Sequence, residues 1–380
     1  SARAIQRQDY RTAQAIFEQA LESIVSLEDF CLVFEAYSMF LETLCSALLG
    51  TERGGLYLAK LERLLAQRKF YLHNVLVRLQ PSNVDFWLQL LELVSTEYKD
   101  LKFVIAEYER AIKSVNARHT EKFYLIWIAF ARLYCERGDY ETAFSILDHA
   151  SGSQVRLQPE DHANLLIEYS KLTKDNTKAM QILLRGCAPN SPSYKTSTFW
   201  NYLLDMQEAM ALQQQPTKRE EHVKTVIDSY NKVIELRLAT AQIFINYAEF
   251  VMLTTGDSNK QFAVYERGIA AFGWPIAFEL WNVYLPKAVK ELPRLPLGVE
   301  RLRDLFEQAL HKCPDHFAAS IVTLYCKLEE EHGLARNSLR ILDAAVKRPL
   351  LSGQDRALLY KLLIASTKTL SGVPDLRAVY

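Results

Sequence analysis

Residues 311–316, His-Lys-Cys-Pro-Asp-His, form the densest run of metal-capable side chains in the 380-residue chain. Two imidazoles, a thiol and a carboxylate within six positions are the ligand types on which a tetrahedral zinc site draws. Such a site needs a second pair elsewhere at a comparable spacing, and neither CxxC nor HExxH supplies one. Pro314 after Cys313 reads instead as a helix stop. Glu329-Glu-Glu331 offers hard-cation chemistry, but calcium sites want a loop of alternating oxygen donors. This run follows Leu328 at the end of an apolar helical pattern, so it predicts a solvated helix end. GxxxxGK(S/T), GxGxxG and GxSxG are all absent. The expected sets of catalytic, cofactor-binding and metal-binding residues are therefore empty. The chain reads as a non-enzyme with no cofactor and no small-molecule substrate.

Five tryptophans raise the possibility of platforms on which RNA bases stack. Trp87, Trp127, Trp200 and Trp281 each open an apolar stripe, which predicts packing inside a helical hairpin. Trp274, in Phe272-Gly-Trp-Pro275, lies between stripes and has no assigned role. Cys31, Cys45, Cys135, Cys187, Cys313 and Cys326 are scattered without pairs, and most fall in apolar helical pattern, where a thiol acts as a small hydrophobe. With no Asn-x-Ser/Thr acceptor in the chain, a reducing intracellular compartment is expected.

The elements that carry these residues are helices. Trp281, Tyr284 and Leu285 fall at i, i+3 and i+4, and Leu302, Leu305, Phe306, Ala309 and Leu310 repeat that face. Each stripe covers one side only, so the two helices must cover each other. Second-helix stripes recur around Phe17, Leu61, Tyr108, Leu147, Leu184, Tyr230, Tyr265, Phe306, Leu342 and Tyr380, in steps of 35 to 47 residues. A period in the thirties and forties marks stacked helical hairpins, and predicts an all-α superhelical solenoid. Residues 1–380 are read as one continuous array, a fragment cut from a longer solenoid at both ends. Gly138, Gly256 and Gly333 each sit just past a first helix, where a left-handed residue closes many helices. The segment Thr51–Gly55 is read as a break between helices. Insertions at 188–197, 213–221 and 291–298 are expected to be exposed loops that contribute partner contacts.

Lys plus Arg and Asp plus Glu both number 45, giving a formal net charge of zero. That argues against the chain as a whole being a nucleic-acid binder, which carries a basic excess. The longest nearly apolar run, Phe123–Ala131, is about half a bilayer span, so no membrane helix is expected.

A Trp-x-x-Tyr/Phe first helix followed by an Ala-x-x-Φ-Φ/Tyr-Glu-x-Ala second helix resembles the HAT (half-a-tetratricopeptide) repeat. Longer strings narrow the resemblance: Ile234–Phe250, Ala263–Ile269 with Gly273-Trp-Pro275, Trp281–Leu285, Arg303–Leu310 and Leu324–Arg336. In this order they are similar to the central part of the Syf-one, or XPA-binding protein two, family of pre-mRNA splicing factors. Residues 226–345 carry most of the likeness and 1–150 carry some, whereas 151–225 depart in length and content. The resemblance implies a nuclear scaffold of the NineTeen complex, and contacts with a crooked-neck-type HAT protein, an Aquarius-type helicase and an Isy-type factor. It implies that RNA is met indirectly or through weak local contacts, and it brings a link to transcription-coupled DNA repair. It supplies no catalytic residue. The alternatives are a HAT scaffold of mRNA 3′-end processing or ribosomal-RNA processing, and a solenoid that reads RNA directly.

Overall fold

The structure is a computed structural model, and it describes residues 10–48, 52–173, 175–213, 216–291, 298–332 and 334–370. Among the described residues there are nineteen α-helices, two short 3-10 turns and no strand. The chain divides into two compact units, Ser1–Leu203 and Leu204–Tyr380. Unit 1 holds α1 (Tyr10–Ser23), α2 (Leu27–Ala47), α3 (Glu52–Ala66), α4 (Arg68–Leu79), α5 (Val84–Glu97), α6 (Leu101–Ser114), α7 (Tyr124–Cys135), α8 (Tyr140–Ala150), α9 (Pro159–Leu172) and α10 (Asn176–Gly186). The boundary falls within α11 (Ser197–Gln213). Unit 2 continues with α12 (Pro216–Glu235), α13 (Ala241–Thr255), α14 (Ser258–Ala271), α15 (Ala277–Glu291), α16 (Gly298–His311), α17 (Asp315–Glu331), α18 (Ala335–Val346) and α19 (Gly353–Leu370).

Neighbouring helices pair as antiparallel hairpins, among them α7 with α8, α9 with α10, α13 with α14 and α17 with α18. Within each unit successive hairpins also touch, as α5 touches α7 and α14 touches α15. This is the all-α stacking expected of a helical solenoid, seen within each unit. The hairpin turn is written locally. Gly138 (φ 85°) and Gly256 (φ 66°) take the left-handed conformation past α7 and α13. Asp139 and Asp257 follow them at once and cap α8 and α14 through the amides of Thr142 (3.2 Å) and Asn259 (2.9 Å). Asp100 and Asp175 cap α6 and α10 in the same way. Gly333, expected in the same place, lies outside the described residues.

Second-helix stripes close on a small residue, and Ala111, Ala150 and Ala309 are fully buried. Where the position is Gly186, an added Cβ would stand 2.4 Å from the Phe199 ring. The close approach explains why the stripe ends in Ala or Gly.

Several expectations are corrected. The break at Thr51–Gly55 is not one: α3 begins at Glu52, and Gly54 is buried within it. A Cβ on Gly54 would lie 2.2 Å from the Leu48 carbonyl oxygen, so glycine there admits the passing backbone. The insertion at 213–221 is largely helical, because α12 starts at Pro216, a residue suited to a first helical turn. In the insertion at 188–197, Pro192–Lys195 form a 3-10 turn and Ser193 and Thr196 are buried. Of the third insertion, 292–297 lie outside the described residues. By length and composition α2 is long and apolar enough to cross a membrane, which a search for uninterrupted apolar runs overlooked. It contributes Phe30, Phe34, Tyr37, Phe40, Leu41 and Leu44 to the core of unit 1. In α10 the buried central residue is Leu183, whereas Leu184 is exposed. The first helix of that hairpin, α9, carries Tyr169 rather than a tryptophan, and so escaped the aromatic pattern.

Candidate functional site

The side chains with chemical potential are mostly consumed in joining one repeat to the next. An aromatic ring near the middle of a second helix stacks on a ring of the following first helix. Phe17–Tyr37, Tyr108–Phe130, Tyr230–Tyr247, Tyr265–Tyr284 and Phe306–Tyr325 have centroids 5.1, 5.0, 4.7, 5.3 and 4.7 Å apart, with planes within 20° of parallel. The tyrosine hydroxyl then donates to the acid that follows the second-helix residue: Tyr37 to Glu18 (3.1 Å), Tyr169 to Asp148 (3.2 Å), Tyr284 to Glu266 (3.0 Å) and Tyr325 to Glu307 (3.3 Å). Burial, and then the neighbouring carboxylate, push these phenols upward, Tyr169 to about 12. They are donors, not acid–base groups for neutral pH.

Arginines form a second set of links. Arg110 donates to Asn74 (2.6 Å), Arg185 to Asp148 (2.6 Å) and Arg267 to Asn231 (3.2 Å), each reaching back about one repeat. This register places Asn74 of α4, and no residue near Leu61, at the acid position of its repeat. With α4 as the second helix, the additional helix α3 shifts the sequence-based centre, and the signal was available in the spacing of 36 between Asn74 and Arg110.

The residues singled out for chemistry fall into this scheme. Cys313 is buried, its thiol pushed up to about 11 chiefly by burial, and its Sγ donates to the Pro314 carbonyl. Asp315 accepts from Arg348 (3.4 Å) and from the Leu350 amide (2.9 Å). Arg348 also donates to the carbonyls of Leu310 (3.0 Å) and Cys313 (3.1 Å), tying down the end of α16. Arg78 does the same for α1 through Leu21 (3.1 Å) and Ile24 (2.7 Å). Residues 311–316 are thus a helix-end clamp, and no group of three metal-capable side chains occurs among the described residues. Glu329 is not the solvated residue expected. It is fully buried and takes a two-pronged contact from Arg303 (2.6 and 2.9 Å) plus the Leu334 amide (3.0 Å). Arg303 first, against burial, holds its carboxyl below the usual range.

All four hairpin tryptophans are buried. The indole N–H groups of Trp87 and Trp200 donate to the carbonyls six residues earlier, Pro81 (2.9 Å) and Tyr194 (2.8 Å). That of Trp127 has no acceptor. Trp274 is half-buried and stacks on Phe317 (5.9 Å).

Two clefts open between the ends of successive second helices, each lined by a hairpin tryptophan. In unit 1 a cleft of about 440 Å³ is lined by Trp127, His149, Arg118 and Arg156, among others. In unit 2 one of about 940 Å³ is lined by Trp274, Trp281, Glu266, Glu307, His311 and Lys312, among others.

This repeat lattice has a match among known families. The sequence model described as "Pre-mRNA-splicing factor Syf1/CRNKL1 C-terminal HAT repeat" covers residues 116–380. The chain belongs to the Syf1 HAT-repeat family. The Syf1 middle HAT repeat model covers residues 2–115. The stretch 151–225, which departs from the family's strings, thus falls inside a continuous match. The pre-mRNA-splicing factor cwf3 of Schizosaccharomyces pombe is 31% identical over 398 residues, 98% of this chain and 48% of that protein. The SYF1 of Homo sapiens is 29% identical over 404 residues, 98% of this chain and 45% of that protein. The chain spans about half the length of these Syf1 relatives. Among solved structures, the human IFIT1 dimer with PPP-AAAA aligns at 13% identity over 99% of this chain and 85% of that one, with a TM-score of 0.30.

Proposed function

We propose that this chain is a non-enzymatic segment of a nuclear scaffold that holds spliceosomal proteins in fixed relative positions during pre-mRNA splicing, within the NineTeen complex. The observation that carries the reading is the Syf1 HAT-repeat match along residues 2–115 and 116–380. Relatives bearing the name pre-mRNA-splicing factor, from fission yeast to human, support it. The geometry agrees in kind, since most of the tyrosines, acids and arginines capable of chemistry along the repeat are spent on inter-repeat bonds. A stacked-hairpin array exposes much surface per residue while each repeat packs locally, which suits a holder of several partners. Partner classes are a crooked-neck-type HAT protein, an Aquarius-type helicase and an Isy-type factor. A base-by-base RNA code would need a free polar pair at a fixed place in each repeat. Here the repeated polar positions are already bonded between repeats.

The test is to deplete the full-length protein from nuclear extract and add it back. Splicing of a reporter pre-mRNA should fall on depletion and return with the intact protein. It should not return with a protein lacking the region spanned by this chain. Full splicing by that shortened protein, with spliceosomal proteins still co-isolating, would sink the proposal.

A further inference from the structure

The cleft of unit 1 gathers strong donors that the described residues leave unused. Arg118 and Arg156 line it, both exposed, and neither guanidinium makes a hydrogen bond or ion pair within the described residues. Cations near helix ends commonly offset the carbonyls there. This chain shows what such offsetting looks like: Arg78 and Arg348 each bond two terminal carbonyls at 2.7–3.1 Å. Arg118 and Arg156 do nothing of the kind. Arg156 is moreover held at φ 28°, a conformation that costs a non-glycine residue energy.

Trp127 adds an independent observation. It lines the same cleft, it is 6% exposed, and its indole N–H lacks an acceptor. Its counterparts Trp87 and Trp200 have theirs supplied from within the chain. A buried donor left without a partner costs about 1–3 kcal/mol. His149, an exposed side chain, lies against the Trp127 ring at 5.9 Å.

We propose that this cleft receives a carboxylate side chain, Asp or Glu, of a short acidic segment of a partner protein. Arg118 and Arg156 clasp the carboxylate, and the Trp127 indole donates to an oxygen of the same segment. The proposal rests on the scaffold reading and adds to it a place and a partner chemistry. Charge favours a peptide over RNA. An RNA strand needs cations repeated along its track, whereas the corresponding cleft of unit 2 carries Glu266 and Glu307 beside His311 and Lys312. At about 440 Å³ the cleft suits one or two side chains rather than a chain of nucleotides.

The experiment selects random displayed peptides of about twelve residues on the full chain, with counter-selection on an Arg118→Gln/Arg156→Gln variant. Both substitutions are at exposed positions, so melting should be unchanged. Enriched peptides should share an acidic position, and should weaken at least about tenfold when that acid becomes its amide or when both arginines are replaced. Trp127→Phe, which keeps an aromatic ring but removes the donor, should weaken binding about threefold or more, and the Trp127 indole resonance should move when peptide is added to the wild type. Failure to enrich peptides, enrichment without an acid, or equal binding to the variant overturns the proposal. A uridine-rich RNA oligonucleotide that binds the wild type and is lost with the two arginines also overturns it, in favour of RNA. If spliceosomal proteins co-isolate equally with wild type and variant, the cleft proposal fails while the scaffold reading stands. If they co-isolate with neither, the scaffold reading itself fails.

Discussion

Arg303 and Glu329 set the terms at the residue scale. Glu329 is fully buried, so its charge survives only because Arg303, the Leu334 amide and Asn337 satisfy it. Removing one partner of such a pair strands a buried charge. Arg303→Ala should therefore lose about 3–5 kcal/mol, whereas Glu329→Gln, which keeps an acceptor for Leu334, should lose less. The pH dependence follows from the direction of the shift. Glu329 titrates below its usual 4.5 in the fold, so its stabilising contribution is complete above that value and disappears as pH falls through the folded one. The melting difference between wild type and Arg303→Ala should thus be largest at neutral pH and shrink towards about pH 4 and below. A difference that does not change with pH would show that lost packing, not charge, causes the loss. This pair also marks a limit of reading from sequence. Three consecutive glutamates look solvated because helical periodicity at a helix end is ambiguous by one residue. Only the approach of Arg303 from the preceding helix decides which of them is buried.

Small residues decide spacing at the element scale. Gly186 admits Phe199 and Leu166 where a methyl group would stand 2.4 Å from one ring carbon and 2.9 Å from the leucine. Gly186→Ala should destabilise unit 1 by about 1–3 kcal/mol through overpacking. Phe199→Leu added to it should recover part of that loss, although Phe199→Leu alone destabilises. Additive losses in that double-mutant cycle, read from denaturant melts, would place the strain elsewhere. Trp127→Ala belongs at the same scale: the hollowed hairpin should lose about 3–5 kcal/mol, whereas Trp127→Phe, which deletes less buried volume, should lose less. The element pattern was legible because each helix hides one face, and Trp127, Phe130 and Ala131 say so by spacing alone. The turn was legible too, since Gly138-Asp139 and Gly256-Asp257 write its chemistry in two letters. What escaped were helices entered without a familiar signal. In α3 a buried glycine looks like a break, and in α12 Pro216 looks like a loop when it is a first-turn residue. The first helix α9, which lacks a tryptophan, escaped, so its hairpin was read from the second helix alone and centred on Leu184 rather than the buried Leu183. The lone donors of the unit 1 cleft were illegible for a further reason: that Arg118 and Arg156 lack partners is a fact about distances, and no residue spacing encodes it.

At the scale of the whole molecule, repeats bonded mainly to their neighbours should not share one cooperative transition. The ring pairs, the Tyr-to-acid bonds and the Arg ladder all link adjacent hairpins, and the chain parts into two compact units at Leu203/Leu204. A core cavity in one unit should therefore weaken that unit first. Leu147 is fully buried in α8. Leu147→Ala should cost about 2–5 kcal/mol, and native-state hydrogen exchange should show faster opening of α7, α8 and their neighbours in unit 1. Protection of α14 to α17 in unit 2 should stay near wild type. The reciprocal variant, Phe306→Leu in unit 2, should loosen α16 and α17 and leave α7 and α8 unchanged. Uniform loss of protection over both units in either variant would mean that the chain folds as one cooperative body, and the nearest-neighbour account of its stability would be wrong.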